Sequence, residues 1–308
     1  MNRSSDSANS GRSPLPSDTS PSSFASSPVD PHPTSLHALD EAVQLTALPD
    51  APGQYGGKTH AGYWNMVGPF GGVTAATLLR AVLDHPDLLG EPLSLTVNYA
   101  GAVAAGPFSV QATPVRTNRS TQHWTLSILQ ADADGAPVVT TTATAVTAVR
   151  RETWSVGDVP MPAVPAPGEQ PAMPRGVGVE WLDRYEMRPV AGAIPRQWDG
   201  TGDHSLTQLW MRDAPPRPLD FCALAALADV FFPRVWLRRA QRVPAGTVSI
   251  TVYFHASSAQ LQATGTGYLL GQARGQEFRN GFFDQSAQLW NEAGTMLATS
   301  HQIVYYKE

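Results

Sequence analysis

The chain holds a single cysteine, Cys222, in 308 residues. One cysteine excludes an internal disulfide and any zinc site built from several thiolates. Charge is also scarce: Asp, Glu, Lys and Arg make up 15% of the residues, and the net charge is −5. A nucleic-acid-binding protein needs a basic face to neutralise phosphates, so no nucleic acid is expected as a partner. No run approaches the ~20 apolar residues of a transmembrane helix, so stable membrane insertion is not expected either. The eight histidines show no His-Glu-x-x-His pair and no other metal-ligand spacing. Gly-x-Ser-x-Gly is absent, and with it a nucleophile-elbow serine. The phosphate loop Gly-x-x-x-x-Gly-Lys-Ser/Thr is absent too. In Gly265-Thr-Gly-Tyr-Leu-Leu-Gly271 the third glycine is misplaced for a dinucleotide loop. We therefore expect no metal and no dissociable cofactor, in a reduced, cytoplasmic protein.

Proline and glycine are plentiful, at 27 and 26 residues, and they mark the organisation. Residues 1–36 contain twelve Ser and six Pro, with no apolar periodicity and no apolar stretch of signal-peptide length. A disordered tail over 1–37 is expected. A second break spans 155–180, with Pro160, Pro162, Pro165, Pro167, Pro171 and Pro174. Proline at that density favours extended geometry and a semi-rigid linker. The ordered halves are then 38–154 and 181–308.

The two halves share an order of elements. In the first, strand-like pieces at Ala42–Leu48 and Gln54–His60 precede a helix from Val73 to Leu83. Apolar residues at 73, 76, 79 and 83 follow helical spacing. Four alternating or β-branched stretches follow, at Leu93–Tyr99, Phe108–Arg116, His123–Ala131 and Val138–Val149. In the second half, strands at Tyr185–Val190 and Ser205–Arg212 precede a helix over Phe221–Phe232, closed by Pro233. Strands at Val248–His255, Gly267–Gln276, Phe282–Asn291 and Met296–Tyr306 complete it. Ser94-Leu-Thr-Val-Asn-Tyr99 parallels Ser249-Ile-Thr-Val-Tyr-Phe254. A period this long is a duplicated domain, not a solenoid. A helix apolar nearly all round must be wrapped by sheet. The expected class is α+β, a double hotdog: two tandem antiparallel sheets, each around a central helix.

Asp229 is the one charged residue in Phe221-Cys-Ala-Leu-Ala-Ala-Leu-Ala-Asp-Val-Phe-Phe232. It is either exposed near the helix end or bonded to local backbone, or it is a carboxylate held in a pocket. In the second case desolvation raises its pKa and hydrogen-bond donors lower it again. Thr247 opens the next strand, and Gln302 lies in the last one. Either could be an ordinary strand residue. Counted from turn to turn, Gln302 falls on Ala143 of the first half, and by the strand offset Asp229 falls near Thr74, so the first half lacks this polar set, which suggests one site built mainly by the second half. Cys222 sits in the same apolar helix with no basic neighbour and reads as core.

At these residues the chain resembles the acyl-CoA thioesterase II family of double-hotdog enzymes. The matching pieces are Tyr185-Glu-Met-Arg-Pro-Val190, Gln208-Leu-Trp-Met-Arg212, Ala228-Asp229, Thr247 before Ser249–His255, Leu297–Gln302, and Phe70-Gly-Gly72 ahead of the first helix. They cover roughly residues 40–308. The resemblance implies that Asp229, Thr247 and Gln302 together hold a water that attacks the thioester of a fatty acyl-CoA. It implies substrate contacts at Gly71 and Gly72. CoA phosphates would need cations at the mouth, for which Arg116, Arg119, Arg274 and Arg279 are the candidates. A hotdog hydratase and a non-catalytic acyl-CoA-binding protein remain alternatives, and the sequence leaves room for a homo-oligomer.

Overall fold

Two segments have no polar face to turn towards water, and they form the centre of the molecule. The helix α2 (Gly71–Leu83) has a single charged residue, Arg80, and is buried from Gly72 through Leu79. The helix α3 (Phe221–Leu227) is buried at every position. The computed structural model describes residues 36–49 and 51–308. The tail expected over 1–37 lies outside the described residues except for Leu36 and His37. The His37 ring accepts the Leu39 N–H at 3.1 Å and so caps α1 (Ala38–Ala42).

One antiparallel sheet wraps both central helices. Its first half comprises β1 (Thr46–Ala47), β2 (Gln54–Lys58), β3 (Glu91–Tyr99), β4 (Pro107–Thr117), β5 (Thr121–Ala131) and β6 (Pro137–Ala148). Its second half comprises β7 (Tyr185–Ala191), β8 (Thr207–Asp213), β9 (Ala245–Phe254), β10 (Leu269–Arg274), β11 (Phe278–Arg279), β12 (Phe282–Asn291) and β13 (Met296–Tyr306). The strand order is β1-β2-β4-β5-β6-β3-β9-β13-β12-β10-β8-β7, with β11 on β12. Burial follows the two-residue period of a strand. On β5, Gln122, Trp124, Leu126 and Ile128 face inward.

The fold is thus the expected double hotdog, with its two sheets joined edge to edge through β3 and β9. Thr96 pairs with Thr251 at that join, and their hydroxyls are 3.0 Å apart. The separation of 155 residues is also the offset that superimposes Ser94–Tyr99 on Ser249–Phe254. Thr96 is therefore its own partner's duplicate, and the join lies on the axis relating the halves.

The central helices run antiparallel. A Cβ on Gly72 would lie 2.6 Å from the Ala226 carbonyl oxygen, so only glycine permits this approach. Gly71 faces Asp229, while Arg80 near the other end of α2 feels Asp220 at the start of α3.

Several expected elements differ. Ala42–Leu48 is the end of α1 plus the short β1, not one strand. The helix expected over Phe221–Phe232 stops at Leu227. The Asp229 N–H bonds back only three residues, to Ala226 (3.1 Å), which turns the chain out of the helix. A separate helix α4 (Arg234–Arg239) starts after Pro233. Another, α5 (Ser258–Thr264), starts from a reciprocal Ser257–Gln260 cap. The stretch 155–180 lies against the second half. Met161 and Val164 pack on Trp210, Tyr268 and Leu270. The Trp210 indole donates to the Pro165 carbonyl at 2.8 Å. Arg188 donates to the carbonyls of Pro167 (3.2 Å) and Gln170 (2.7 Å). Among the described residues no helix is long and apolar enough to cross a membrane.

Candidate active site

The early end of α3 decides where Asp229 goes. Had the helix continued, the carboxylate would have stayed on its wall. The tight turn instead carries it towards the start of α2, and it is 8% exposed. A carboxylate this buried needs donors. Gln302 on β13, 3% exposed, supplies one: its Nε2 donates to Asp229 Oδ1 at 2.8 Å. Thr247 on β9 donates its hydroxyl to Gln302 Oε1 at 3.1 Å. The ionised carboxylate, an acceptor only, fixes which way the amide faces: Nε2 must donate to Asp229, which leaves Oε1 to accept from the Thr247 hydroxyl. The three residues named from the sequence are thus one hydrogen-bonded row.

Gly71 and Gly72 complete the site from the other half. A Cβ on Gly71 would fall 2.8 Å from Asp229 Oδ2. The Gly72 N–H lies near the carboxylate and favours its charged form, without forming a well-aligned hydrogen bond. No side chain caps α2, so its first N–H groups face the site unspent. The start of α2 is held in place by Phe70, which stacks on Trp181 at 4.1 Å and whose N–H bonds to the Tyr63 carbonyl at 2.8 Å.

Burial pushes the Asp229 carboxyl up to about 7, against the opposing pull of the Gln302 amide and the Gly72 N–H. The group is therefore a base whose proton affinity matches neutral pH. Tyr99, at the end of β3, donates its hydroxyl to the Gly71 carbonyl at 2.7 Å. Burial and then the Asp229 charge push its own pKa upward, so it stays a donor. Sequence reasoning missed Tyr99. Its signal was the repeat itself: a tyrosine stands where the duplicate has Phe254. The site lies at the junction of the halves rather than mainly in the second.

The arginines separate into two groups. Arg116 lies near the end of β4 and Arg119 in the β4–β5 turn. The neighbouring Gln122 bonds to Asp87 and Leu89 beyond the C-terminal end of α2, at the far end of the helix from Asp229. They do not come together with the site. Arg274 ends β10 opposite Ser286, which in turn pairs with His301, the neighbour of Gln302. Two strand spacings, about 10 Å, separate it from β13. It lines an open groove of about 590 Å³ with Arg238 and Arg239. Arg279 is exposed and pairs with Glu277 at 3.0 Å. Cys222 is buried, and burial pushes its thiol up, away from the reactive thiolate.

A second buried carboxylate escaped sequence reasoning. Asp213 on β8 is 3% exposed and is pushed up to about 7 by burial. Its Oδ1 and the hydroxyls of Tyr63 and Tyr185 have no partner among the described residues.

A model of the acyl-CoA thioesterase N-terminal domain matches residues 60–148, and a model of the acyl-CoA thioesterase C-terminal domain matches residues 159–306. Among solved structures, a hot dog protein of unknown function from Alicyclobacillus acidocaldarius is 46% identical. The match covers 89% of this chain and 99% of that one, with a TM-score of 0.82. A putative thioesterase II from Thermobifida fusca is 18% identical over 89% and 98% of the two chains, with a TM-score of 0.74. The acyl-CoA thioesterase II TesB2 from Mycobacterium marinum is 20% identical over 88% and 98%, with a TM-score of 0.69. The last two likenesses speak to the fold alone. No curated protein matches the chain. With both domain models matched in order along one polypeptide, the chain belongs to the acyl-CoA thioesterase family that these two domains define, and it has the double-hotdog fold.

Proposed function

We propose that the protein hydrolyses a fatty acyl-CoA to the free acid and CoA, with Asp229 as general base. The observation that carries this reading is the hydrogen-bonded Thr247–Gln302–Asp229 row, with Gln302 and Asp229 buried, facing the uncapped start of α2. A thioester carbonyl is electrophilic enough to be attacked by water directly, so no covalent nucleophile is needed. Asp229 accepts a proton from a water held beside it. The resulting hydroxide adds to the acyl carbon, and negative charge moves to the carbonyl oxygen. N–H groups of the first turn of α2 are placed to stabilise that charge. The C–S bond then breaks, the acid leaves, and the proton on Asp229 passes to the departing sulfur. Gln302 and Thr247 act by holding the carboxylate in one orientation.

The CoA phosphates would lie on Arg274 and its groove. Arg279 is the weaker candidate because Glu277 already neutralises it, and the positions of Arg116 and Arg119 give them no part. A thiol-release assay with acyl-CoAs of several chain lengths tests the proposal. Release that depends on Asp229 is expected. Binding of acyl-CoA without release would favour the non-catalytic alternative, and hydration of an enoyl-CoA without release would favour the hydratase.

A further inference from the structure

A water on Asp229 has one carboxylate oxygen left to rest on. Oδ1 already accepts from the Gln302 amide at 2.8 Å. Oδ2 accepts no hydrogen bond from the described residues and, unlike the sealed Asp213 Oδ1, is not shut off from water. It faces Gly71 at the start of α2.

Tyr99 stands against the same glycine. On β3, Leu95 and Val97 are buried, and Tyr99 continues their face of the strand and packs on the core. The ladder between β3 and β9 ends at Asn98 opposite Ser249, so Tyr99 lies just past the join of the halves. A Cβ on Gly71 would lie 2.8 Å from Asp229 Oδ2 and 3.1 Å from the Tyr99 hydroxyl oxygen. The two oxygens are therefore no more than about 6 Å apart, within the reach of the two hydrogen bonds of a single water.

Counting hydrogens fixes what the hydroxyl offers. A phenol has one hydrogen to give. Tyr99 gives it to the Gly71 carbonyl at 2.7 Å. Towards Asp229 it presents lone pairs, and none of the described residues donates to them. Burial, and then the Asp229 charge, push its pKa upward, so the hydroxyl keeps its hydrogen. Asp229 Oδ2 is an acceptor as well. A gap flanked by two acceptors fits a ligand with two hydrogens on one oxygen, which is water. Glycine at 71 keeps the gap open, because any side chain there would begin between the two oxygens.

We infer that Tyr99 is a catalytic residue, its hydroxyl oxygen accepting one hydrogen of the attacking water while Asp229 Oδ2 accepts the other. The inference rests on the proposed hydrolysis. With both hydrogens held, the water turns a lone pair towards the acyl carbon. On attack the hydrogen on the Asp229 side passes to Oδ2, the new C–O bond forms, and the carbonyl π pair moves to the carbonyl oxygen. The hydrogen on the Tyr99 side stays on the attacking oxygen, and Tyr99 neither gains nor loses a proton.

The test is Tyr99→Phe, assayed with acyl-CoA in buffer containing methanol, with free acid and methyl ester quantified. Phe254 holds the duplicate position, so the ring without its hydroxyl suits the fold. Methanol has one hydroxyl hydrogen and satisfies Asp229 but not Tyr99, so the two-acceptor site favours water. In Tyr99→Phe the hydrolytic kcat should fall by about tenfold with KM unchanged, and the ratio of ester to acid should rise by about fivefold. A hydroxyl that only braced the Gly71 carbonyl would lower both products together, and an unchanged ratio overturns the inference, as does an unchanged kcat. Gly71→Ala is the second variant, and it decides the matter if Tyr99→Phe does not fold. It keeps the hydroxyl and fills the gap, so hydrolysis should fall by about 10²-fold or more. A folded Gly71→Ala that hydrolyses at the wild-type rate overturns the inference. A wild type that releases no thiol overturns the proposed hydrolysis itself, which separates that failure from this one.

Discussion

Replacing Asp229 by Asn should cut hydrolysis by about 10²–10⁴-fold, the usual contribution of a positioned general base, and should stabilise the protein above neutral pH. The network accommodates the exchange. Asn keeps one oxygen for the Gly72 side and turns its NH₂ towards Gln302. Gln302 flips its amide to accept with Oε1, and the Thr247 hydroxyl, a rotor that can donate or accept, turns to accept from Nε2. No donor is left facing a donor. The gain in stability follows from the direction of the pKa shift. The folded carboxyl titrates at about 7 instead of 3.8, so the native state binds a proton more tightly than the unfolded chain does. That contribution is fully present below about pH 4 and is lost as pH rises through about 7. At ~1.4 kcal/mol per pH unit, the ionised group destabilises the wild type above pH 7 by roughly 4–5 kcal/mol. Asn carries no such burden. The melting temperatures of the two proteins should be close near pH 4. They should diverge by roughly 5–10 °C at pH 8, with the variant higher. Asp213, which burial also pushes up to about 7, is present in both proteins and cancels in the comparison. Turnover and thermal unfolding measured on one preparation across pH 4–8 check both halves. A folded Asp229→Asn that hydrolyses thioesters at the wild-type rate would refute the mechanism. A gap that fails to open with pH would refute the buried charge.

Thr247→Ala should reduce kcat by roughly tenfold through loss of the bond that orients the amide, and in the Asp229→Asn background it should cost far less, because Thr247 acts through the Asp229 carboxylate; a double-mutant cycle measures this. In the wild type, kcat/KM should drop tenfold for each pH unit below about 7 and level off above it, since the ionised carboxylate is the active form. Gln302→Ala removes the strongest influence lowering that pKa, so the same limb should move to higher pH; a limb that stays put would show that another group titrates. Residues 181–308 expressed alone should dimerise or aggregate, because the edge of β9 that pairs with β3 is laid open; a stable monomer by sedimentation would contradict this.

What could be read from the sequence was whatever local chemistry dictates. The apolar centre of Phe221–Leu227, the alternation along Phe282–Asn291 and the match of Ser94–Tyr99 to Ser249–Phe254 all express the period of one element or its duplicate. Asp229 stood out because a lone carboxylate among alanines and leucines has no local explanation. Its helix end did not stand out. The turn at Ala228–Asp229 is stabilised by Gln302, 73 positions further along, and by the approach of Gly72 from the other half. Register was misjudged for a related reason. Counting from turn to turn sets Gln302 on Ala143. Pairing sets Ile250 against Gln302 and its duplicate Leu95 against Ala145, so Ala145 is the true counterpart. The β5–β6 hairpin is the longer one, with ten residues from Gly135 to Ala145 against eight from Gly294 to Gln302, and that difference accounts for the slip. The arginines were placed by composition alone, which says nothing about which end of α2 a turn occupies. The Ser257–Gln260 cap of α5, in contrast, was visible and overlooked.

The same geometry explains why a duplicated fold carries one such site. Two antiparallel helices present two equivalent corners, where the start of one meets the end of the other. At the first corner α2 begins with glycines and no cap, so its N–H groups and the positive end of its dipole remain available, and Asp229 arrives from the end of α3. At the second corner α3 begins with Asp220, whose own carboxylate takes the Ala223 N–H at 2.8 Å. Arg217 then clamps Asp220 at 2.5 Å and Asp40 at 2.6 Å. The acid that ends α2, Asp84, turns back onto Arg80 at 2.7 Å instead of facing α3. Where β13 carries Gln302, β6 carries Ala145. The second corner has thus spent its donors and its acids on one another, and its Arg217 pairs tie α1 to the start of α3. The first can leave a helix start uncapped and a carboxylate near neutrality because the other corner, and the β3–β9 join, hold the two halves in register around it.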